Sequence, residues 1–456
     1  MRSFLNPVPR RLVVALGAVV LSGCATFTPD GGLNDVSRLT QERIGQPVAL
    51  AKPQAKQSEA TATQVQALLA QPLTADSAVQ LALLNSPALK VSLAELGISE
   101  AEWVQSGRLR NPGFSFGRVR GADETEIERS VTFDVIGLLT MPVRQRIEGR
   151  RFEQAKLLAA TQAVQLAAET RRAYYTAVAA AQSAAFADQV RLAAEASSQL
   201  ADRMSKVGNW SKLDQARERA FYADAVTELA RARHEATAAR EQLTRLLGVW
   251  GAQQDYRLPD RLPDLPAQAT TIQDAEARAL SQRLDVLAAR RDAQATASAL
   301  GLTKATRFIN VFDAAYTNTS KSGSPRENGY EVSLELPLFD WGTAARARAE
   351  AVYMQSVQRT ADTAIKARSQ VRETYSAYHT AYDIARHYRD EVVPLRKKIS
   401  DEVLLRYNGM LASTFELLAD AREQLTSVNG AIAAQRDFWI AESQLQSAMN
   451  GGGMTQ

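Results

Sequence analysis

The 456-residue chain has one cysteine, Cys24, and three histidines, His234, His379 and His387. A single thiol cannot close an intrachain disulfide, so stability has to come from packing or from oligomerisation. The histidines are dispersed and none stands in a His-Glu-x-x-His arrangement, which leaves no metal-ligand set and no nucleophile with its base. Phosphate-cradling loops of the Gly-x-x-x-x-Gly-Lys-Ser/Thr or Gly-x-Gly-x-x-Gly kind are also missing. The chain therefore reads as a protein that is not an enzyme and holds no metal and no cofactor. It lacks a charge excess as well: 54 Lys+Arg face 50 Asp+Glu, a balance that argues against nucleic acid as a partner. Beyond residue 24 no uninterrupted run of about 18 apolar residues occurs, so there is no helical membrane span. If this chain crosses a membrane, it must do so with strands.

What is present begins with an address. Arg10 and Arg11 precede an apolar run over residues 12–21, and Ser22, Gly23 and Cys24 end it with small residues. A spanning helix needs about 20 apolar residues, so residues 1–23 read as a cleaved signal peptide. Its loss removes Arg2, Arg10 and Arg11 and takes the formal charge from +4 to +1. Leu21-Ser-Gly-Cys24 resembles the bacterial lipobox, which implies that Cys24 becomes the first mature residue and carries lipid on its thiol and amine. Acyl chains contribute about 0.8 kcal/mol per buried methylene, so two or three would hold the protein on a membrane surface. Ala25 in place of Asp resembles lipoproteins of the outer membrane. Residues 24–70, poor in aromatics, are expected to form an extended leader from that anchor.

The remainder reads as two tandem copies of one unit, over residues 71–249 and 271–449. An offset of 197 places Ala78 on Ala275, Ala82 on Ala279 and Leu83 on Leu280. Each copy opens with a helix of about nine turns, passes through a strand hairpin (about 112–138 and 307–338), and continues into a very long helix broken once near Gly208 or Gly409. A linker over 250–270, with Pro259, Pro263 and Pro266, cannot be a long helix and is expected as an irregular segment outside the main body. Residues 450–456 form a tail.

In the last strand Tyr330, Val332, Leu334 and Leu336 alternate with Glu331, Ser333 and Glu335; in its repeat partner Val131, Phe133 and Val135 alternate with Ser130, Thr132 and Asp134. Carboxylates on an inward face require water inside. Such segments match the 9 to 11 residues of a tilted membrane strand, with apolar side chains toward lipid and polar ones toward a lumen. Four strands cannot close a barrel, so several chains must pool theirs. Residues 141–206 and 343–406 are Ala, Gln, Glu and Arg rich and span about 100 Å as helix, which requires neighbours along their length.

These features in this order, with Leu336-Pro-Leu-Phe-Asp-Trp-Gly342 at the strand-to-helix join and the run from Tyr407 through Phe415 to Arg422, resemble the TolC family of outer membrane efflux proteins. The resemblance implies a mostly helical chain with a small β part. It further implies a homotrimer that shares a twelve-stranded outer-membrane barrel and a periplasmic α-helical barrel. It implies the exit duct of a tripartite efflux pump, most simply of the RND type, working with a periplasmic adaptor and an inner-membrane pump; the duct of a type I secretion system is the alternative within the family. Adaptor contact is implied at the helix turns, here Val207, Gly208 and Asn209, where Asn replaces a recurrent Leu, and Asn408, Gly409 and Met410, where one extra residue stands before Phe415. A periplasmic gate is implied at Tyr407, Glu416 and Asp420. The last run also resembles members associated with heavy-metal, above all copper, resistance. A reading of another class is a non-conducting periplasmic coiled-coil scaffold, which the inward carboxylates Glu331 and Glu335 oppose.

Overall fold

The computed structural model describes residues 26–45, 55–121, 124–308 and 311–452; Cys24 and the signal segment lie outside the described residues. The chain is mostly helical with one small antiparallel sheet. It divides into two compact units, one of residues up to 34, 93–158 and 286–363, the other of 35–92, 159–285 and 364 onward.

The leader is helical where an extended segment is expected. Helices α1 (Leu33–Ile44) and α2 (Ala55–Leu69) occupy much of it. Val36 and Thr40 of α1 are fully buried, and Arg43 ties its end to the Gln282 carbonyl at 3.1 Å. Burial of one face stabilises a helix of this length, which would be marginal on its own.

The helix expected to open each copy is in both cases two helices. Thr74 and Ser77 close a reciprocal capping box at the start of α3 (Ala75–Asn85), and α4 (Pro87–Ser106) follows. Pro87 keeps Ser86 out of the helical region, so the axis breaks there. The second copy breaks without a proline, between α7 (Ala275–Gln282) and α8 (Leu284–Thr306). There the Arg283 side chain turns into the interior, 1% exposed, and donates to Asp285, Gln370 and the Ala448 carbonyl. The two breaks share a bond at an offset of 197: Ser86 N–H to the Ala82 carbonyl and Arg283 N–H to the Ala279 carbonyl, both 2.8 Å.

The sheet lies in the first unit in the order β1 (Gly113–Arg120), β2 (Thr125–Asp134), β3 (Phe312–Lys321) and β4 (Glu327–Leu334), with β1 and β4 as free edges of the described sheet. Boundaries differ from the sequence reading. Val135, expected in a strand, belongs with Ile136 to helix α5 (Val135–Lys206), β4 ends at Leu334 before Leu336, and residues 322–326 join β3 to β4, both strands running past the aromatic core into polar residues. Cross-strand backbone pairing holds Thr317 to Lys321 extended whatever their hydropathy.

Helix α6 (Lys212–Leu247) ends at Gly248 with φ +65°, where a Cβ would stand 3.0 Å from the Asn85 carbonyl oxygen. The segment after it does not lie outside the body. Tyr256 and Leu262 are 2% exposed, and the Pro263 carbonyl accepts from Trp439 at 3.0 Å and from Gln435 at 2.6 Å. Tyr382 donates to the Ala267 carbonyl at 2.9 Å, so prolines that forbid helix leave carbonyls free for side-chain donors. Beneath this strap Tyr378, Tyr382, Phe438 and Leu445 form a core between α9 (Thr343–His387) and α11 (Thr414–Asn450). Between α9 and α10 (Val393–Asn408) one π-helical turn, Tyr388–Val392, bonds the Val393 N–H to the Tyr388 carbonyl, a widening that accommodates Pro394 and its missing donor.

Candidate functional site

The strand register sorts the side chains of the sheet onto two faces of unlike chemistry. Residues paired across strands point to the same side, so the register carries one face through all four strands. One face holds Ser115, Val119, Glu126, Glu128, Ser130, Thr132, Asp134, Asp313, Ala315, Thr317, Thr319, Lys321, Glu327, Glu331 and Ser333. The other holds Phe114, Phe116, Ile127, Val131, Phe133, Phe312, Ala314, Tyr316, Tyr330, Val332 and Leu334, with Arg118, Arg120, Thr125, Arg129, Asn318, Ser320 and Asn328 toward its turn end. Ser130, Thr132, Asp134, Glu331 and Ser333 thus share the polar face, while Glu335 falls one residue past β4. Phe114, Tyr330 and Val332 are 69%, 89% and 66% exposed, so the apolar face is uncovered.

Two of these residues have structural tasks that their sequence positions do not announce. Asp134 accepts the Gly137 N–H at 2.5 Å, capping α5, and lies 3.4 Å from Arg110. Ser130 is buried against Ser115, with their hydroxyls 2.7 Å apart.

In the second unit, two turns reverse the long helices: residues 207–211 between α5 and α6, and 409–413 between α10 and α11. They are built alike. In the first, Asn209 N–H reaches the Met204 carbonyl (2.9 Å) and Gly208 N–H the Ser205 carbonyl (3.1 Å); in the second, Leu411 N–H reaches Arg406 (2.8 Å) and Met410 N–H reaches Tyr407 (3.0 Å). Both are Schellman closures, and Ser211 and Ser413 then cap the following helices by accepting from Asp214 and Glu416 N–H. The shared offset is 202, as from Gly208 to Met410 and from Ser211 to Ser413. Gly208 therefore corresponds to Met410, and the left-handed position of the second turn is Met410 at φ +59°, while Gly409 has φ −80°. Relative to the first turn, the second has no extra residue.

That equivalence moves the apolar contacts. Val207, Met410 and Leu411 are 68%, 94% and 82% exposed, and Leu411 occupies the place of Asn209. Leu411 and the exposed Leu213 are absent from the residues expected at the tips. An alignment on glycines conceals them, and an alignment on the capping serines would have found them.

The three residues expected at a gate stand at the end of α10 and in the first turns of α11. Tyr407 is half-buried on the last turn of α10. The Glu416 carboxylate accepts the Ser413 N–H at 2.8 Å, completing a capping box. Asp420, one turn further on, has a buried carboxylate oxygen without a hydrogen-bond partner among the described residues. Nearby, a buried polar network does join the two hairpins: Glu218 of α6, 1% exposed, accepts from Ser197 of α5 at 2.7 Å and from Arg422 of α11 at 3.2 Å, and Arg422 lies over the Phe221 ring.

A two-faced strand sheet and long helices that reverse at exposed turns recur in solved outer-membrane channels. The chain matches a membrane protein from Pseudomonas aeruginosa (TM-score 0.72, 19% identity, 85% of this chain and 93% of that one). It also matches CusC, described for conformational changes accompanying folding and transmembrane channel formation (0.69, 16%, 86% and 92%), and the Campylobacter jejuni CmeC outer membrane channel (0.68, 14%, 91% and 92%). No protein-family model and no curated protein matches the chain. The structural likeness establishes the fold, and it is the TolC-type fold that the order of elements in the sequence resembles.

Proposed function

We propose that this chain is the outer-membrane exit duct of a tripartite efflux pump, a passive path from a periplasmic adaptor and an inner-membrane pump to the exterior. The observation that carries the reading is the sheet. Six carboxylates lie on one face and an exposed aromatic band on the other, which suits water on one side and lipid on the other. Free edges on β1 and β4 would leave unpaired backbone groups in hydrocarbon, so three copies close a twelve-stranded barrel edge to edge. The helices then line a periplasmic tunnel. The shared offsets of the helix breaks and of the tips support two copies of one ancestral unit. Exposed Val207, Met410 and Leu411 suit an apolar adaptor contact, and lipid on Cys24 anchors the chain. In this reading the duct conducts passively and the energy comes from the inner-membrane pump.

Single-channel recording in a planar bilayer tests this. Purified full-length protein should be one trimeric species by mass and give discrete conductance steps, rare and small while the tips are closed. A monomeric mass with silence that persists in Glu416→Gln/Asp420→Asn would overturn the duct and favour the scaffold. For the anchor, Cys24→Ala should abolish palmitate labelling; labelling that persists retires the lipobox.

A further inference from the structure

The apolar face of the sheet carries a charge pattern opposite to that of the polar face. Along β1 its residues run Phe114, Phe116, Arg118, Arg120, and Arg129 of β2 lies on the same face, opposite Phe116 and diagonal to Arg118. Successive same-face residues of a strand are about 7 Å apart and diagonal neighbours about 7 to 8 Å, so the three guanidinium groups form one patch. Arg118 and Arg120 are exposed, and Arg129 donates to Asn318 at 3.2 Å. Among the described strand residues this face has no Asp or Glu, whereas on the polar face Lys321 has Glu126 at 3.4 Å. Three like charges beside an aromatic band, without a carboxylate on their face, leave a counter-ion to be supplied from outside.

We propose that Arg118, Arg120 and Arg129 bind the phosphate groups of lipid headgroups in the outer leaflet, at the rim where the apolar band ends. This rests on the barrel reading, in which the apolar face meets lipid and the β1–β2 turn points away from the helices. Arg120 and Arg118 lie at the turn end of the hairpin, paired with Thr125 and Ile127, where the barrel reading places the headgroups; Arg129 stands one same-face pair further in, opposite Phe116, and its long stem reaches toward them. Arginine stems lie along the apolar surface while their planar forks meet phosphate oxygens in pairs. Lysines would serve as point charges; the arginine pattern favours the bidentate partner.

The test uses full-length protein in phosphatidylcholine vesicles containing either lipid A or lipid A stripped of its phosphates, at low ionic strength where surface charge is least screened. Insertion is read first, by resistance of residues 113–134 and 312–334 to protease. Lipid retained after detergent extraction is then counted by native mass spectrometry. The wild type should retain lipid A over its phosphate-free form, and Arg118→Gln/Arg120→Gln/Arg129→Gln should lose that preference by roughly a hundredfold, at about fivefold per arginine. The lipid comparison on the wild type stands even where the triple variant fails to fold. Inserted wild-type protein that retains both lipids equally overturns the phosphate site alone. Protein that never inserts overturns the barrel reading and the site with it.

Discussion

Met410 sits at φ +59°, a backbone region in which a side chain costs roughly 1–2 kcal/mol relative to glycine, while the equivalent Gly208 has φ +77° and open space where a Cβ would stand. Gly208→Ala should therefore loosen its turn by about 1 kcal/mol through strain alone, and Gly409→Ala, at φ −80°, should be close to neutral. Amide exchange over residues 204–214 and 406–416 separates them; equal effects would refute the assignment. Both turns are legible from Gly208 and Gly409, but composition signals glycine and only hydrogen bonding tells which residue closes the helix. Asp134 and Glu416 are likewise helix caps that composition does not mark: each is legible as a polar residue at a boundary, and its bonds are not. Glu442 offers a pH test. Burial raises its carboxyl above the ordinary 4.5, against the opposing pull of Arg171. The folded state then holds its proton to higher pH than the unfolded chain, so this residue's contribution falls as pH rises through that window. Glu442→Gln should gain stability over the wild type above the window and match it below, as read by thermal unfolding across about pH 3 to 8, from below the ordinary carboxylate range to well above it.

At the scale of elements, the buried Glu218 couples hairpins that are more than 200 residues apart in sequence. A carboxylate 1% exposed that loses its partner is stranded, and breaking such a pair costs about 3–5 kcal/mol when both groups are buried. Arg422 keeps a third of its side-chain surface, so about 2 kcal/mol is the expected loss in Arg422→Ala. Glu218→Leu with Arg422→Leu should recover much of it, since an apolar pair leaves no orphan charge. A double-mutant cycle in chemical denaturation measures the coupling, and additive losses would show the pair to be unlinked. No local pattern marks Glu218 in the sequence, because it is one of many acids on a charged helix and its burial depends on which helix packs over it. The strand alternations of β2 and β4 were readable for the converse reason: period-two hydropathy is written locally. The glycine-rich β1 and mixed β3 carry it weakly, so their faces became clear only with the register.

For the whole molecule, the consequence of that register is electrostatic. Each chain places six carboxylates and one lysine on the polar sheet face, and three chains closing a barrel would surround one water path with three times that excess. Like charges around a common axis raise the local concentration of counter-ions, and the effect reaches about 10 Å at 0.1 M salt. Currents should therefore favour potassium over chloride, more strongly at low salt. Glu327 and Glu331 lie on the edge strand β4, away from the caps that occupy Asp134, so Glu327→Gln/Glu331→Gln should shift the reversal potential in a KCl gradient toward zero without changing trimer yield. An unchanged potential with intact conductance would mean that water does not run along this face, and the barrel would have to close with its faces reversed, placing six carboxylates in hydrocarbon, each at a cost below the about 2–4 kcal/mol of an arginine or lysine at the midplane but summed over three chains. That burden is too large for a sheet with a ready apolar face, which is why the potential should move.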